Sequence, residues 1–251
     1  MNLMNRNALL GAVFMLAVTS ASEAAADGGP GPLGVTAVAV ATPQTAQVGA
    51  LFTVEDAEAG RFFGEHFCTA TVVRSPHHNL IATAAHCLEQ AGDFAFVPGY
   101  RDGRAPYGVW KIDRVFLPDG WAKDQDEDSD VAFATLDELD AKGVEDVVGA
   151  NRFATGTATG ATPVTLTGYP DEAEEPVRCT NRPTPHNSAQ QRIACPGLTG
   201  GTSGSPWVNG DGEVVGVLGG HEQGGATADV SYSVVLGAEA AELYRDATAE
   251  R

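Results

Sequence analysis

The sequence predicts an all-β fold closed by a single C-terminal helix. Three observations carry that expectation: many short apolar runs rich in β-branched residues, turn-forming residues between them, and helical spacing confined to the last stretch. From Val48 the runs are "VGALFTV", "HFCTATVV", "NLIATAA", "FAFVPGY", "YGVWKIDRVFL", "VAFATL", "TPVTLTGY", "SPWVN", "EVVGVLGG" and "VSYSVV". Each has strand length, and Gly, Pro, Asn or Asp separates it from the next. The "NGDG" at Asn209–Gly212 reads as a hairpin turn. Only "GAEAAELYRDA", Gly237–Ala247, has helix formers at helical spacing. Many short strands mean a sandwich or barrels, and the lack of a fixed repeat argues against a propeller.

The first residues speak to compartment. A short polar start with Arg6 leads into the apolar run Ala8–Val18, and Ala24 and Ala26 then fit an A-x-A cleavage pattern before Asp27. That run is too short to span a bilayer and suits a signal peptide over 1–26, so the expected mature protein is secreted, extracellular and soluble. Residues 27–47, rich in Gly, Ala, Pro and Thr, read as a linker or pro-segment with little to bury. A formal net charge of −18 disfavours nucleic acid and anionic membranes as partners.

Cys68, Cys87, Cys179 and Cys195 are an even number in an exported chain, so disulfides are expected. Three connectivities are possible, and the sequence-local one, Cys68–Cys87 with Cys179–Cys195, is taken. Zinc is the rival, weakened because no C-x-x-C pair occurs. The acidic run "KDQDEDSD", Lys123–Asp130, reads as a solvated loop in all but its last member, and it lacks the EF-hand order of calcium ligands. His66, His77, His78 and His186 read as exposed or loop residues, with no metal site expected. Trp207 is expected in the second core.

Three places could carry chemistry. In "LIATAAHCLEQ" small residues leave His86 approachable beside Cys87. Asp130 stands directly before the alternating run "VAFATL", where a carboxylate is costly to bury unless it is paired, for instance with the Nδ1–H of a histidine. Asp128 competes but belongs to the polar run. The third place, "GLTGGTSGSPWVNGDGEVVGVLGG", crowds glycine around Ser203 and Ser205. A serine hydroxyl needs a neutral imidazole to become a nucleophile, and the oxyanion it creates needs N–H donors already aimed at it. Gly201 and Ser203 would supply those donors.

"TAAHC", "DSDVAF" and "GGTSGSP", in that order, resemble the chymotrypsin/trypsin-like serine peptidases, and "TSGSP" is most similar to their secreted bacterial branch. The likeness runs from about Val48 to Tyr244. It implies two six-stranded antiparallel barrels, over 48–147 and 148–236, with 237–251 as C-terminal helix and tail. It also implies a His86–Asp130–Ser203 triad across the cleft, an oxyanion hole of Gly201 and Ser203, and Gly219, Gly220 and His221 as an extended edge pairing with substrate. The expected partner is a peptide or protein cleaved by a monomeric endopeptidase, without cofactor or metal.

Two departures from the trypsin branch matter. Thr202 replaces the acid that would receive a freed N-terminus, so activation by insertion is not implied. Gly197 and Leu218 stand where an acid or a histidine would read a charged residue, so an uncharged residue before the scissile bond is expected. The competing class is a non-catalytic exported binding or adhesion module on the same scaffold. A nucleophile-elbow esterase is set aside, because "GTSGS" carries Ser205 where that motif needs glycine.

Overall fold

Strands with apolar residues on both faces need cover on both sides, and the first half of the chain obtains it by rolling up. A computed structural model describes residues 31–89 and 92–249; the expected signal peptide, 1–26, lies outside the described residues, as do residues 27–30. After β1 (Thr36–Val38) and a one-turn helix α1 (Pro43–Ala46) come β2 (Val48–Thr53), α2 (Val54–Glu58), β3 (Cys68–Val73) and β4 (Leu80–Thr83). Next are β5 (Phe94–Pro98), β6 (Trp110–Phe116), α3 (Asp119–Asp124) and β7 (Ala132–Leu136). Strands β2 to β7 close a barrel in the order β2-β3-β4-β7-β6-β5, antiparallel throughout.

Alternation along β2 divides its side chains between two cores. Leu51 points into the barrel with Val72, Leu80, Phe96, Trp110 and Phe133. Ala50 and Phe52 point the other way, into a cluster with Val97, Tyr100 and Tyr169. Each large side chain fully buried in this way contributes about 1.5–3 kcal/mol.

The second half adds α4 (Val144–Val148), β8 (Arg152–Phe153), β9 (Val164–Gly168), β10 (Val177–Asn181), β11 (Thr184–Pro185) and β12 (Gln190–Ala194). It continues with β13 (Pro206–Asn209), β14 (Glu213–Val217), β15 (Val230–Val234) and α5 (Ala238–Ala249). Its strands are ordered β1-β10-β9-β13-β14-β8 and β11-β12-β15, and just after β14 the Gly219 N–H donates to the Tyr232 carbonyl of β15 (3.0 Å). They enclose Leu166, Ile193 and Trp207 with the second disulfide. The expected C-terminal helix forms, and Ala240, Leu243 and Ala247 seal it onto the first barrel's core.

Part of the 27–47 stretch is built into the fold. Thr36–Val38 pair with Val177–Cys179, Ala39 is fully buried, and the Ala39 carbonyl accepts from the Arg101 guanidinium. Strand β1 is thus an edge of the second-half sheet. Among the described residues no helix is long and apolar enough to cross a membrane.

His66 differs from its expectation, whereas His78 is exposed in a loop, as expected. His66 is buried against Phe52 and Tyr100, and its Nε2 lies 2.9 Å from the Pro170 carbonyl, which can only accept, so that nitrogen carries the proton. His78 donates from Nδ1 to Asp146 (2.7 Å), and that bond raises its pKa above the ordinary histidine value.

Candidate active site

Both disulfides form in the sequence-local pairing, with Cα–Cα distances of 6.1 Å for Cys68–Cys87 and 5.9 Å for Cys179–Cys195. Each closes a short loop and is worth about 3 kcal/mol in the chain-entropy account. Because the sulfurs of Cys68 and Cys87 are bonded to each other, they brace the backbone beside His86 and do not offer it a pair of thiolates.

Small side chains set the position of His86. Ala82, Ala84 and Ala85 are fully buried where β4 ends, so the chain turns tightly over Ala85–Cys87 and delivers the imidazole to the barrel's rim. Asp130 stands just before β7, whose Ala132 pairs with Thr83 of β4. That register brings the two residues together. The His86 backbone N–H donates to Asp130 Oδ1 (3.0 Å) and its Nδ1–H to Oδ2 (2.8 Å). Asp130 is fully buried, and the Gly220 N–H also donates to Oδ2 (2.7 Å). Three donors satisfy a carboxylate that has no cation beside it, which makes its burial tolerable. With Nδ1 committed as a donor, Nε2 is the ring's free acceptor. Gly219 is required by close approach, since a Cβ there would sit 2.6 Å from Asp130 Oδ2.

The two serines of the glycine-rich stretch have different fates. Ser205 is fully buried and its hydroxyl donates to the Thr202 carbonyl (2.7 Å). Ser203 is half-buried and lines a cleft of about 530 Å³ that His86 and the Cys68–Cys87 bridge also line. Among the described residues neither the Gly201 nor the Ser203 N–H has a protein acceptor. The turn is pinned from both halves of the molecule. Thr69 of β3 donates from its N–H to the Ser203 carbonyl (2.7 Å) and from its hydroxyl to the Gly201 carbonyl (3.0 Å), while the Gly204 N–H donates to the Leu218 carbonyl (2.7 Å).

Gly204 is where this closeness is most demanding. Its φ is +84°, and a Cβ would lie 2.0 Å from the Thr69 carbonyl oxygen and 2.2 Å from Thr83 Oγ1. Gly204→Ala is expected to cost about 3 kcal/mol or more, since strain and backbone overlap add. Thermal unfolding of the variant checks this; an unchanged midpoint would contradict the packing described.

A second hollow of about 250 Å³ opens beside Ser203, lined by Leu198, Thr199, Leu218, Ala226 and Ala228 among others, and no ionisable side chain contributes to it. Gly197 lies one residue outside that lining. Thr202 is buried with its hydroxyl donating to the Thr199 carbonyl (2.6 Å).

The remaining residues expected at the site behave differently. Strand β14 ends at Val217, and the next amides are already committed: Gly219 to the Tyr232 carbonyl, Gly220 to Asp130 and His221 to Gln190 Oε1. The chain then turns over His221–Gly224. The N–H groups of Gly219, Gly220 and His221 are therefore all satisfied within the protein. His186 is exposed in a loop, as expected, and its ring stacks on His221 (5.0 Å) and meets Tyr232 edge-on (4.9 Å). Sequence reasoning missed Thr69 and Gln190 altogether, and it placed Asp128 in a solvated run although Asp128 accepts from Gln190 Nε2 (2.7 Å).

A sequence model of the trypsin-like peptidase domain matches residues 68–217, which hold His86, Asp130 and Ser203. The chain belongs to the trypsin-like peptidase family. Solved structures agree. The protease Anisep from Arthrobacter nicotinovorans is 29% identical, with a TM-score of 0.71 over 82% of this chain and 97% of its own. The thermostable serine protease AL20 from an extremophilic microorganism is 27% identical, with a TM-score of 0.71 over 84% of this chain and 100% of its own. A Glu endopeptidase shares the fold at 20% identity, with a TM-score of 0.68 over 88% of this chain and 99% of its own. No curated protein matches the sequence. This trypsin-like peptidase thus has the chymotrypsin-like fold of a serine protease.

Proposed function

We propose that the protein is a secreted serine endopeptidase that cleaves peptide bonds through an acyl-enzyme. The observation that carries this reading is the buried Asp130 carboxylate holding the His86 ring at the edge of the cleft that Ser203 lines. Ser203 Oγ attacks the scissile carbonyl as His86 Nε2 takes its proton, and His86 then returns that proton to the leaving amine. Asp130 keeps the ring in the right tautomer and stabilises its cation. The Gly201 and Ser203 N–H groups receive the oxyanion, which is consistent with their lack of a protein acceptor among the described residues. The barrel (48–147) supplies the base and the following segment (148–236) the nucleophile. The protein acts as a monomer on peptides or proteins, outside the cell.

The uncharged lining of the hollow beside Ser203 supports a preference for an uncharged, apolar residue before the scissile bond. A buried Arg, Lys, Glu or Asp would find no opposite charge there. Mass spectrometry of products from a mixed peptide library tests turnover and preference together. Cleavage after apolar residues is expected; a clear preference for Arg, Lys, Glu or Asp would overturn the specificity, and an uncut library would overturn the activity.

A further inference from the structure

The segment Leu218–Gly225 forms one wall of the hollow beside Ser203, and its backbone is unusual. Glu222 and Gln223 are consecutive non-glycine residues in the left-handed region, with φ of 49° and 54°. Such a conformation persists only where the surroundings hold it. The hold comes from the acidic turn before β7 and from one buried side chain. Gln190, 3% exposed at the start of β12, uses both ends of its amide: Oε1 accepts from the His221 N–H (2.8 Å) and Nε2 donates to Asp128 Oδ1 (2.7 Å). Glu127 Oε1 accepts from the Glu222 N–H (2.8 Å), and its other oxygen lies 3.6 Å from His221 Nδ1. Three residues after Glu127, Asp130 accepts from the Gly220 N–H. The same turn therefore holds the His86 ring and the pocket wall.

We propose that Gln190, Asp128 and Glu127 are positioning residues that clamp the Gly220–Gly225 wall, and so the substrate pocket, to the carboxylate that orients His86. The proposal rests on the serine-peptidase reading above. Gln223 lines the catalytic cleft and the hollow, and Gly224 and Gly225 line the hollow alone, so slack in this wall is felt where substrate seats. The His86–Asp130 contact itself does not pass through Gln190. Loss of the clamp should therefore weaken substrate binding more than it slows the bound reaction.

The test compares the full chain with its Gln190→Ala, Asp128→Ala and Asp128→Asn variants. Asp128 is exposed, so its variants spare the core if Gln190→Ala folds poorly. With a peptide taken from the library cleavage, KM is expected to rise about tenfold in both alanine variants while kcat stays within about threefold, as expected for loss of a hydrogen bond to a charged or buried partner. Asp128→Asn keeps an acceptor for Gln190 Nε2 and should recover most of the loss. Amide hydrogen exchange is the second readout: faster exchange confined to 219–225, with β3 and β4 unchanged, is expected in the alanine variants. Wild-type KM together with wild-type exchange at 219–225 would overturn the clamp, as would an equal rise in exchange across the barrel. Absence of turnover in the unmodified chain would instead overturn the peptidase reading, and the exchange comparison would still decide the clamp.

Discussion

Ser203→Ala is expected to lower kcat by about 10⁶-fold, the loss typical of removing a hydroxyl nucleophile from such a triad. The fold should survive the change, because Ser203 is only half-buried and the carbonyl that Thr69 grips is backbone. An unchanged thermal midpoint beside collapsed turnover would separate chemistry from stability. His86→Ala should cost about as much, and the double variant little more than either single one, because the two groups act as a unit. Single-turnover kinetics on a good peptide substrate checks all three. Turnover retained by Ser203→Ala would remove the serine from the chemistry, and Ser205 could not replace it while its hydroxyl stays buried on the Thr202 carbonyl.

Asp130→Asn is the second large effect, about 10⁴-fold in kcat with the geometry nearly kept. The carboxylate accepts from three N–H groups, two on His86 and one on Gly220. A carboxamide has one accepting oxygen, so its NH₂ must face at least one of those donors. If it takes the place of Oδ2, it faces the imidazole and the Gly220 N–H, and the ring adopts the tautomer with its proton on Nε2 and cannot take one from serine. If it takes the place of Oδ1, the buried His86 N–H is left unpaired at about 1–3 kcal/mol. Rates measured beside thermal unfolding distinguish the two orientations. Asp128→Asn, two residues away, should not approach this loss, because Asp128 meets Gln190 and not His86.

Much of the fold was legible because it is local. Every apolar run quoted from the sequence holds a strand, and the terminal helix lies where its spacing put it. Among the strands outside those runs, β1, β8 and β11 are very short, and β12 fills inward positions with hydrogen-bonded polar residues. Strand β12, "QQRIA", buries Gln190 and Gln191, and Gln191 Nε2 donates to the Val215 carbonyl (3.1 Å). Strand β1 is three residues long and exists through pairing with β10, far along the chain. Pairing of that kind depends on distant register, which no local stretch of sequence displays.

The site divides in the same way. The glycines near Ser203 signal close backbone approach, and at Gly204 the approach is real. The choice of Asp130 over Asp128 followed from its place at the head of an apolar strand, and β4–β7 pairing brings it to His86. The acceptors of the Gly219–His221 amides, Asp130, Gln190 and the Tyr232 carbonyl, come from other parts of the chain. Local sequence carries no sign of them.

The central claim is that an imidazole held by a buried carboxylate activates one particular hydroxyl. Treating the folded protein at pH 8 with an active-site-directed phosphonate and locating the adduct by peptide mass tests it most directly. A single adduct on Ser203, lost in His86→Ala, is the predicted result. Folded protein that takes no label, or takes it elsewhere, would contradict the account and favour a binding module on this scaffold.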